Sequence, residues 1–367
     1  VQNNVKENYL ISGFFMFFLI FATQSGIGGL GSPNIMFKYS GQDAWISVFI
    51  MGFSLHLIIW MMFKMLGNPA KDIIDLHQMI FGRFLGNAFS LLLIGYYFLS
   101  ALYVFLTYID IVQVWVFPTI RTWELAAIFI CLIYYLVSGG FRVLTGFALF
   151  SSVTAFLLFP LIYFPIKFGN LNYLTPVWNH SVPELLRASK ASYGIFIGFE
   201  ALLVYFPFIK SVEKQAKWAH LGMFVNTFQF VVITICTLLF YSHGLLKNTL
   251  YPLLGITKII QFDFIERIEF IFIFCWLIMF ISSLCISIWS CTRILKRVTN
   301  FKPRISLVLI LTIFFIVVIQ FNEKMKVDAL GNFTINIGIY FVFAYIPILF
   351  VLYSIRNKKA KSQIHIR

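Results

Sequence analysis

Long apolar runs alternate with short polar connections along the whole chain. The runs cover residues 9–37, 44–66, 85–112, 123–137, 142–166, 186–209, 218–242, 264–290, 305–321 and 333–355. A membrane-spanning helix needs about 20 apolar residues, so each run is expected to form one span, ten in all. No polar stretch between them is long enough for a separate soluble domain. The expected fold class is therefore all-α and integral to the membrane, with residues 1–367 as one transmembrane domain.

Composition narrows the functional classes. Sixty per cent of the 367 residues are hydrophobic and 11% are charged. A soluble domain carries about 25% charged residues, so a soluble enzyme, a disordered chain and a collagen-like chain are excluded. The net charge of +14 sits in the connections, where it reads as a topology signal before it reads as a nucleic-acid footprint. If the N-terminus is cytoplasmic, 18 of the 28 Lys and Arg residues fall on the inner side and 10 on the outer. Both termini are then expected inside, and 356–367 is a short basic cytoplasmic tail. The first run leads into a long glycine-rich stretch rather than a compact cleavage site, so it is expected to be a span and not a removed signal. The five cysteines, Cys131, Cys236, Cys275, Cys285 and Cys291, lie in or at the ends of apolar runs without metal spacing. They read as packing residues. No metal set, cofactor motif, catalytic triad or phosphate loop is present, and no enzyme is expected.

Two runs carry helix breakers near their middles. The first contains Gln24-Ser25-Gly26-Ile27-Gly28-Gly29-Leu30-Gly31-Ser32-Pro33. Glycine costs about 1 kcal/mol relative to alanine inside a helix, so four glycines in six residues predict an interruption. The sixth contains Gly194-Ile195-Phe196-Ile197-Gly198-Phe199-Glu200. Five spans precede the sixth, and an odd repeat must invert in the membrane. Spans one and six are thus equivalent members of two inverted halves, about 9–166 and 186–355. Paired interruptions of this kind point to a transporter-type site at the midplane, because unwound backbone is tolerated there only where it lines a cavity or meets a ligand. Gly194 and Gly198 also form a small-xxx-small pair, which is a helix-packing face. Both readings are open for the sixth span.

Polar residues at depth supply the remaining candidates. Glu200 lies beside the second interruption. A carboxylate in the membrane must be protonated, paired or hydrated, so Glu200 is either a proton-titrating or ligand-orienting group or a structural acceptor for freed backbone amides. Tyr96, Tyr97 and Ser100 fall mid-span in the third run, and Ser282 and Ser283 mid-span in the eighth. Each either lines a cavity or packs. His56 reads as a packing residue and Asp110 as an interfacial one. Two longer outer connections, one carrying Trp178 and His180 and the other Tyr251 and Pro252, either cap an outward vestibule or are simple loops.

In these residues the chain resembles the membrane permease subunit, the B subunit, of bacterial spore germinant receptors, within the amino acid–polyamine–organocation transporter superfamily. The marks are Thr23-Gln24-Ser25-Gly26-Ile27-Gly28, and Gly67-Asn68-Pro69-Ala70-Lys71 leading to Phe81-Gly82-Arg83-Phe84-Leu85-Gly86. Gly198-Phe199-Glu200 followed by Pro207-Phe208-Ile209, and Tyr251-Pro252 ahead of Phe264-Ile265-Glu266-Arg267, complete them. The resemblance spans about Asn8 to Arg356. It implies a LeuT-like fold of five plus five inverted helices with helices 1 and 6 broken. It implies a sensor of a small nutrient, often an amino acid, in the inner membrane of a dormant spore. It also implies a larger A subunit and a lipoprotein C subunit as partners. By position, the superfamily's ligand site falls on Ser25 to Gly29 and Tyr193 to Glu200. Some proton-coupled relatives carry a lysine in the fifth helix; here that region reads Ser151-Ser152-Val153-Thr154, which leaves Glu200 as the proton-coupling candidate. The expected ligand-binding set is Thr23, Gln24, Ser25, Gly26, Ile27, Gly28, Gly29, Tyr97, Tyr193, Gly194, Gly198, Phe199, Glu200, Ser282 and Ser283. The rival reading is a proton-coupled amino acid transporter, and a receptor-gated channel is a third.

Overall fold

The computed structural model describes residues 5–24, 28–67, 72–260, 267–321 and 323–364. Its principal helices are α1 (Phe15–Gln24), α2 (Gly28–Ser40), α3 (Ala44–Leu66), α4 (Ile73–Trp115), α5 (Thr122–Ser138) and α6 (Phe141–Leu158). They continue with α7 (Val182–Phe196), α8 (Ala216–Phe240), α9 (Ile268–Thr299), α10 (Pro303–Val318), α11 (Lys324–Tyr340) and α12 (Ile346–Ile364). Six segments are long and apolar enough to cross a bilayer: Gly29–Leu66, Ile73–Trp115, Phe141–Lys167, Ala216–Phe240, Ile268–Thr299 and Lys324–Asn357. The bent pair Val182–Phe196 and Phe199–Phe208 makes a seventh. Three shorter apolar helices, α1, α5 and α10, lie where the first, fourth and ninth runs are expected. The chain is an integral membrane protein of the expected all-α class.

Local chemistry sets the helix ends. Ser181 and Glu184 form a capping box at the start of α7, with Pro183 in the first turn, where its missing N–H is not needed. Asp72 caps α4 by accepting from the Asp75 N–H at 3.0 Å. Gly82 adopts φ 79°, ψ 173°, which a side chain resists. It folds the first turns of α4 back, so the spanning part begins after it, as the run from residue 85 predicts. The helix α12 continues through the first part of the basic tail to Ile364.

Inside the bundle, α1 packs on α6, α8 and α9, while α2 packs on α7 and α4 packs on α9. Lipid gives no hydrophobic drive for helix association, so close packing and polar contacts hold such a bundle. Residues that the charge bias assigns to one side meet on one face. Lys210 pairs with Glu7 at 3.3 Å, and Arg142 donates to the Leu10 carbonyl at 2.9 Å. Ile11 makes an isolated parallel bridge to Ile209. On the same face Arg297 joins Asp72 at 3.0 Å and Asp75 at 2.6 Å.

At the opposite end, Asp43 holds the connection that carries Trp178 and His180. Its carboxylate accepts from the backbone N–H groups of Trp178, Asn179 and His180 at 2.7–3.1 Å, and His180 Nδ1 lies 2.9 Å away. Asp43→Ala leaves three donors without this acceptor. We expect a loss of about 2 kcal/mol and faster proteolysis within 175–181, with a smaller loss for His180→Ala. Unchanged thermal unfolding and cleavage in Asp43→Ala would mean that the clamp contributes nothing.

Candidate functional site

The end of α1 meets the break in the sixth span, with Gly198 packed on Thr23. α1 ends at Gln24 and α2 starts at Gly28. Ser25, Gly26 and Ile27 lie outside the described residues. From Gly28 onward the glycine cluster is already helical, so Gly28, Gly29 and Gly31 do not unwind the chain as their content predicts. Gly29 and Gly31 are helical, and they serve close packing. A Cβ at Gly29 would run into the Phe230 ring, and one at Gly31 would lie 3.1 Å from the Leu250 carbonyl. Pro33 is also accommodated inside α2.

In the sixth span, α7 stops at Phe196, Ile197 turns extended, and Gly198 takes φ 116°. Short turns Phe199–Ala201, Leu202–Tyr205 and Phe206–Phe208 complete the segment, bent by 58° from α7. A Cβ on Gly198 would sit 2.6 Å from the Thr23 carbonyl oxygen, so glycine is needed both for its backbone angle and for this approach. Gly194 behaves differently: it stays helical and faces Ile335 of α11. The two glycines therefore do not share one packing face.

Glu200 sits directly behind the break, fully buried. Its Oε2 accepts the Gly198 N–H at 2.6 Å. Its Oε1 accepts the Tyr96 hydroxyl at 2.6 Å and also the Tyr193 hydroxyl. Tyr97 donates to the Glu200 backbone carbonyl at 2.9 Å. One side chain thus ties α4, α7 and the unwound turn together. Phe199, also fully buried, opens the short turn after the break.

The other side of the site comes from α1, α8 and α9. Ser283 donates to the Thr23 carbonyl at 2.7 Å, while the Thr23 hydroxyl bonds back to Leu19 and Ile20 within α1. Gln24 Oε1 accepts from Asn226 Nδ2 at 2.5 Å. Among the described residues, Gln24 Nε2, Asn226 Oδ1 and the Ser282 hydroxyl are buried with no partner. Buried polar atoms of this kind are rare; Gln24 and Asn226 meet at the end of α1, and Ser282 adjoins Ser283, which bonds Thr23. In the fifth-helix region, Ser152 bonds its own helix at 2.8 Å and the Ser151 hydroxyl is buried unpartnered.

Thr23, Gln24, Tyr97, Tyr193, Gly198, Phe199, Glu200, Ser282 and Ser283 fall at this junction, and Gly194 flanks it. Sequence reasoning left Tyr96 open between lining a cavity and packing, and missed Asn226. The signal for Asn226 was present, since Asn226-Thr227-Phe228-Gln229 interrupts the apolar seventh run, and polar residues at such depth mark sites. His56 goes elsewhere. Its Nδ1 lies 2.9 Å from His220 Nδ1 at the contact of α3 with α8.

The architecture and sequence match known proteins. A solved structure titled as the substrate-bound outward-open state of a Na+-coupled sialic acid symporter superposes with a TM-score of 0.61. It covers 96% of this chain and 79% of that one at 13% identity, a likeness of fold alone, which is LeuT-like. Spore germination protein A2 of Bacillus subtilis (strain 168) is 22% identical over 301 residues, 80% of this chain and 82% of that protein. Spore germination protein GerQB of Bacillus cereus is 34% identical over 357 residues, 97% of this chain and 99% of that protein. The family model described as Spore germination protein matches residues 10–327, which takes in α1 through α10 and the break at Gly198. With the fold and nearly the full length accounted for, the chain belongs to the spore germination protein (Spore_permease) family.

Proposed function

We propose that this chain is the membrane subunit of a spore germinant receptor and that it binds a small nutrient, an amino acid, where the end of α1 meets the break at Gly198. The observation that carries the reading is the set of unpartnered buried polar atoms, Gln24 Nε2, Asn226 Oδ1 and the Ser282 hydroxyl, around the end of α1. A zwitterion supplies both the acceptor and the donors that those atoms lack. Its carboxylate would meet backbone N–H groups at the start of α2, a half-helix N-terminus that favours negative charge. Its amine would meet carbonyl oxygens near the second break. Tyr193 is engaged by Glu200, so Phe199 is the better candidate to cover the ligand side chain.

Binding would bias an equilibrium between outward-open and occluded states, which partner subunits read. The family resemblance names those partners as an A subunit and a lipoprotein C subunit. It puts the complex in the spore inner membrane, and the Lys and Arg bias puts both termini on the cytoplasmic side. The reading treats 9–166 and 186–355 as inverted halves and Glu200 as the group that titrates if protons are coupled.

The fold likeness to a symporter favours one alternative, a transporter that moves an amino acid with protons. Labelled amino acids offered to the purified protein in sealed proteoliposomes separate the two. Label that survives permeabilisation at about one per protein, and that Asn226→Leu removes, is the expected result. Label that exceeds the protein and escapes on permeabilisation means transport. No retained label with any amino acid removes amino acids as the ligand class.

A further inference from the structure

We propose that a second site, a cavity of about 840 Å³, is an anion-binding chamber for a small solute bearing a carboxylate or a phosphate. The cavity lies between α2, α4, α7 and α11. Its size falls within the range of small-molecule sites. Four cations line it, Lys38, Arg187, Lys190 and Lys324, against one carboxylate, Asp328.

Those charges are not evenly balanced. Lys324 is held by Asp110 at 2.6 Å, by the Tyr251 hydroxyl at 2.9 Å, and lies 3.8 Å from Asp328. Tyr251 also donates to Asp110. Burial, and then the neighbouring Asp110 carboxylate, push the Tyr251 phenol far above its ordinary pKa, so it remains a donor in this cluster. Lys38, Arg187 and Lys190 make no ion pair within 4 Å among the described residues. Glu184, one turn from Arg187, is engaged by the Ser181 cap at 2.7 and 2.8 Å. Three cations without an ion-pair partner, Arg187 only distantly opposed by Glu184, focus a positive field in one concave wall and concentrate anions.

A second observation points to a ligand. The Asn34 side chain lines the same cavity and is 3% exposed. Its carbonyl oxygen has no hydrogen-bond partner among the described residues. That oxygen accepts an N–H or O–H, so the solute carries such a donor next to its anionic group. Arg187 and Lys190 stand one turn apart on α7, just before Tyr193, and an anion bridging them sits on the helix that leads to the break. The chamber does not depend on what binds at the midplane.

The test uses the full chain in nanodiscs of phosphatidylcholine, with Asn332→Cys as a reporter in the cavity wall and Cys131→Ser to remove the exposed native thiol. Asn336→Cys, also in the wall, is the second reporter should the first not fold. Modification rates are compared for anionic and cationic methanethiosulfonates, each normalised to a free thiol. At about 10 mM ionic strength, where screening extends over about 30 Å, the anionic reagent should react about tenfold faster. The double variant Arg187→Gln/Lys190→Gln should bring the ratio close to one. Inorganic phosphate or acetate should slow a neutral reagent where chloride at equal ionic strength does not, and whichever protects identifies the anionic group. Equal rates in the starting protein, or protection by chloride as strong as by both other anions, overturns the chamber.

Discussion

Glu200→Leu should destabilise the protein by about 2–6 kcal/mol. The carboxylate accepts three buried donors, the Gly198 N–H and the hydroxyls of Tyr96 and Tyr193. Leucine accepts none. The two tyrosine hydroxyls lie 3.1 Å apart, so one can still donate to the other. Two donors are then left without partners, at about 1–3 kcal/mol each. Thermal unfolding in nanodiscs reads this loss directly. Glu200→Gln separates architecture from proton chemistry. Its oxygen can face the Gly198 N–H while its NH₂ donates to the tyrosine oxygens, so the loss should be about 1 kcal/mol. If Glu200 carries a coupled proton, Glu200→Gln abolishes the pH dependence of ligand binding or uptake while the fold persists. A pH profile unchanged in Glu200→Gln would show that the carboxylate is only a structural tie.

Gly198→Val should lower stability by about 3 kcal/mol or more and remove the ligand response with it. Two terms add. A β-branched residue at φ 116° is strained by about 1–3 kcal/mol. Its Cβ would also lie 2.6 Å from the Thr23 carbonyl oxygen, a backbone atom that cannot move without shifting α1 and the Ser283 contact. Gly194→Ala is the control. Its new Cβ would lie 3.1 Å from Ile335 Cδ1, the free end of a flexible side chain. The position is helical, where alanine gains about 1 kcal/mol over glycine. Near-neutral behaviour at Gly194 beside a large loss at Gly198 is the expected pattern. Equal losses at both would mean that the pair works as one packing face after all.

The glycine cluster of the first run shows where sequence reading overreached. Gly29 and Gly31 predict unwinding by propensity, yet both are helical and lie at close contacts, Gly29 under the Phe230 ring and Gly31 by the Leu250 carbonyl. Propensity reports what an isolated helix prefers, and packing in a bundle overrides it. Asn226 was legible as a polar residue at depth, but its partner was not. It meets Gln24 across 202 positions of chain, and no local pattern encodes that pairing. The same holds for Tyr96, which reads as one more aromatic in the third run until Glu200 is seen against it.

The all-α membrane class, the positions of the apolar runs and the family resemblance were set by sequence alone, which also marked Gly194 to Glu200 as either a break or a packing face. The reason is that a bilayer imposes length, apolarity and internal hydrogen bonding on every segment separately. Which residues converge was decided by the tertiary structure: Gly198 against Thr23, Glu200 under two tyrosines, Gln24 with Asn226, and three unpaired cations around one cavity. These are contacts between distant segments, fixed by how the helices pack and by where each buried polar atom finds, or fails to find, a partner.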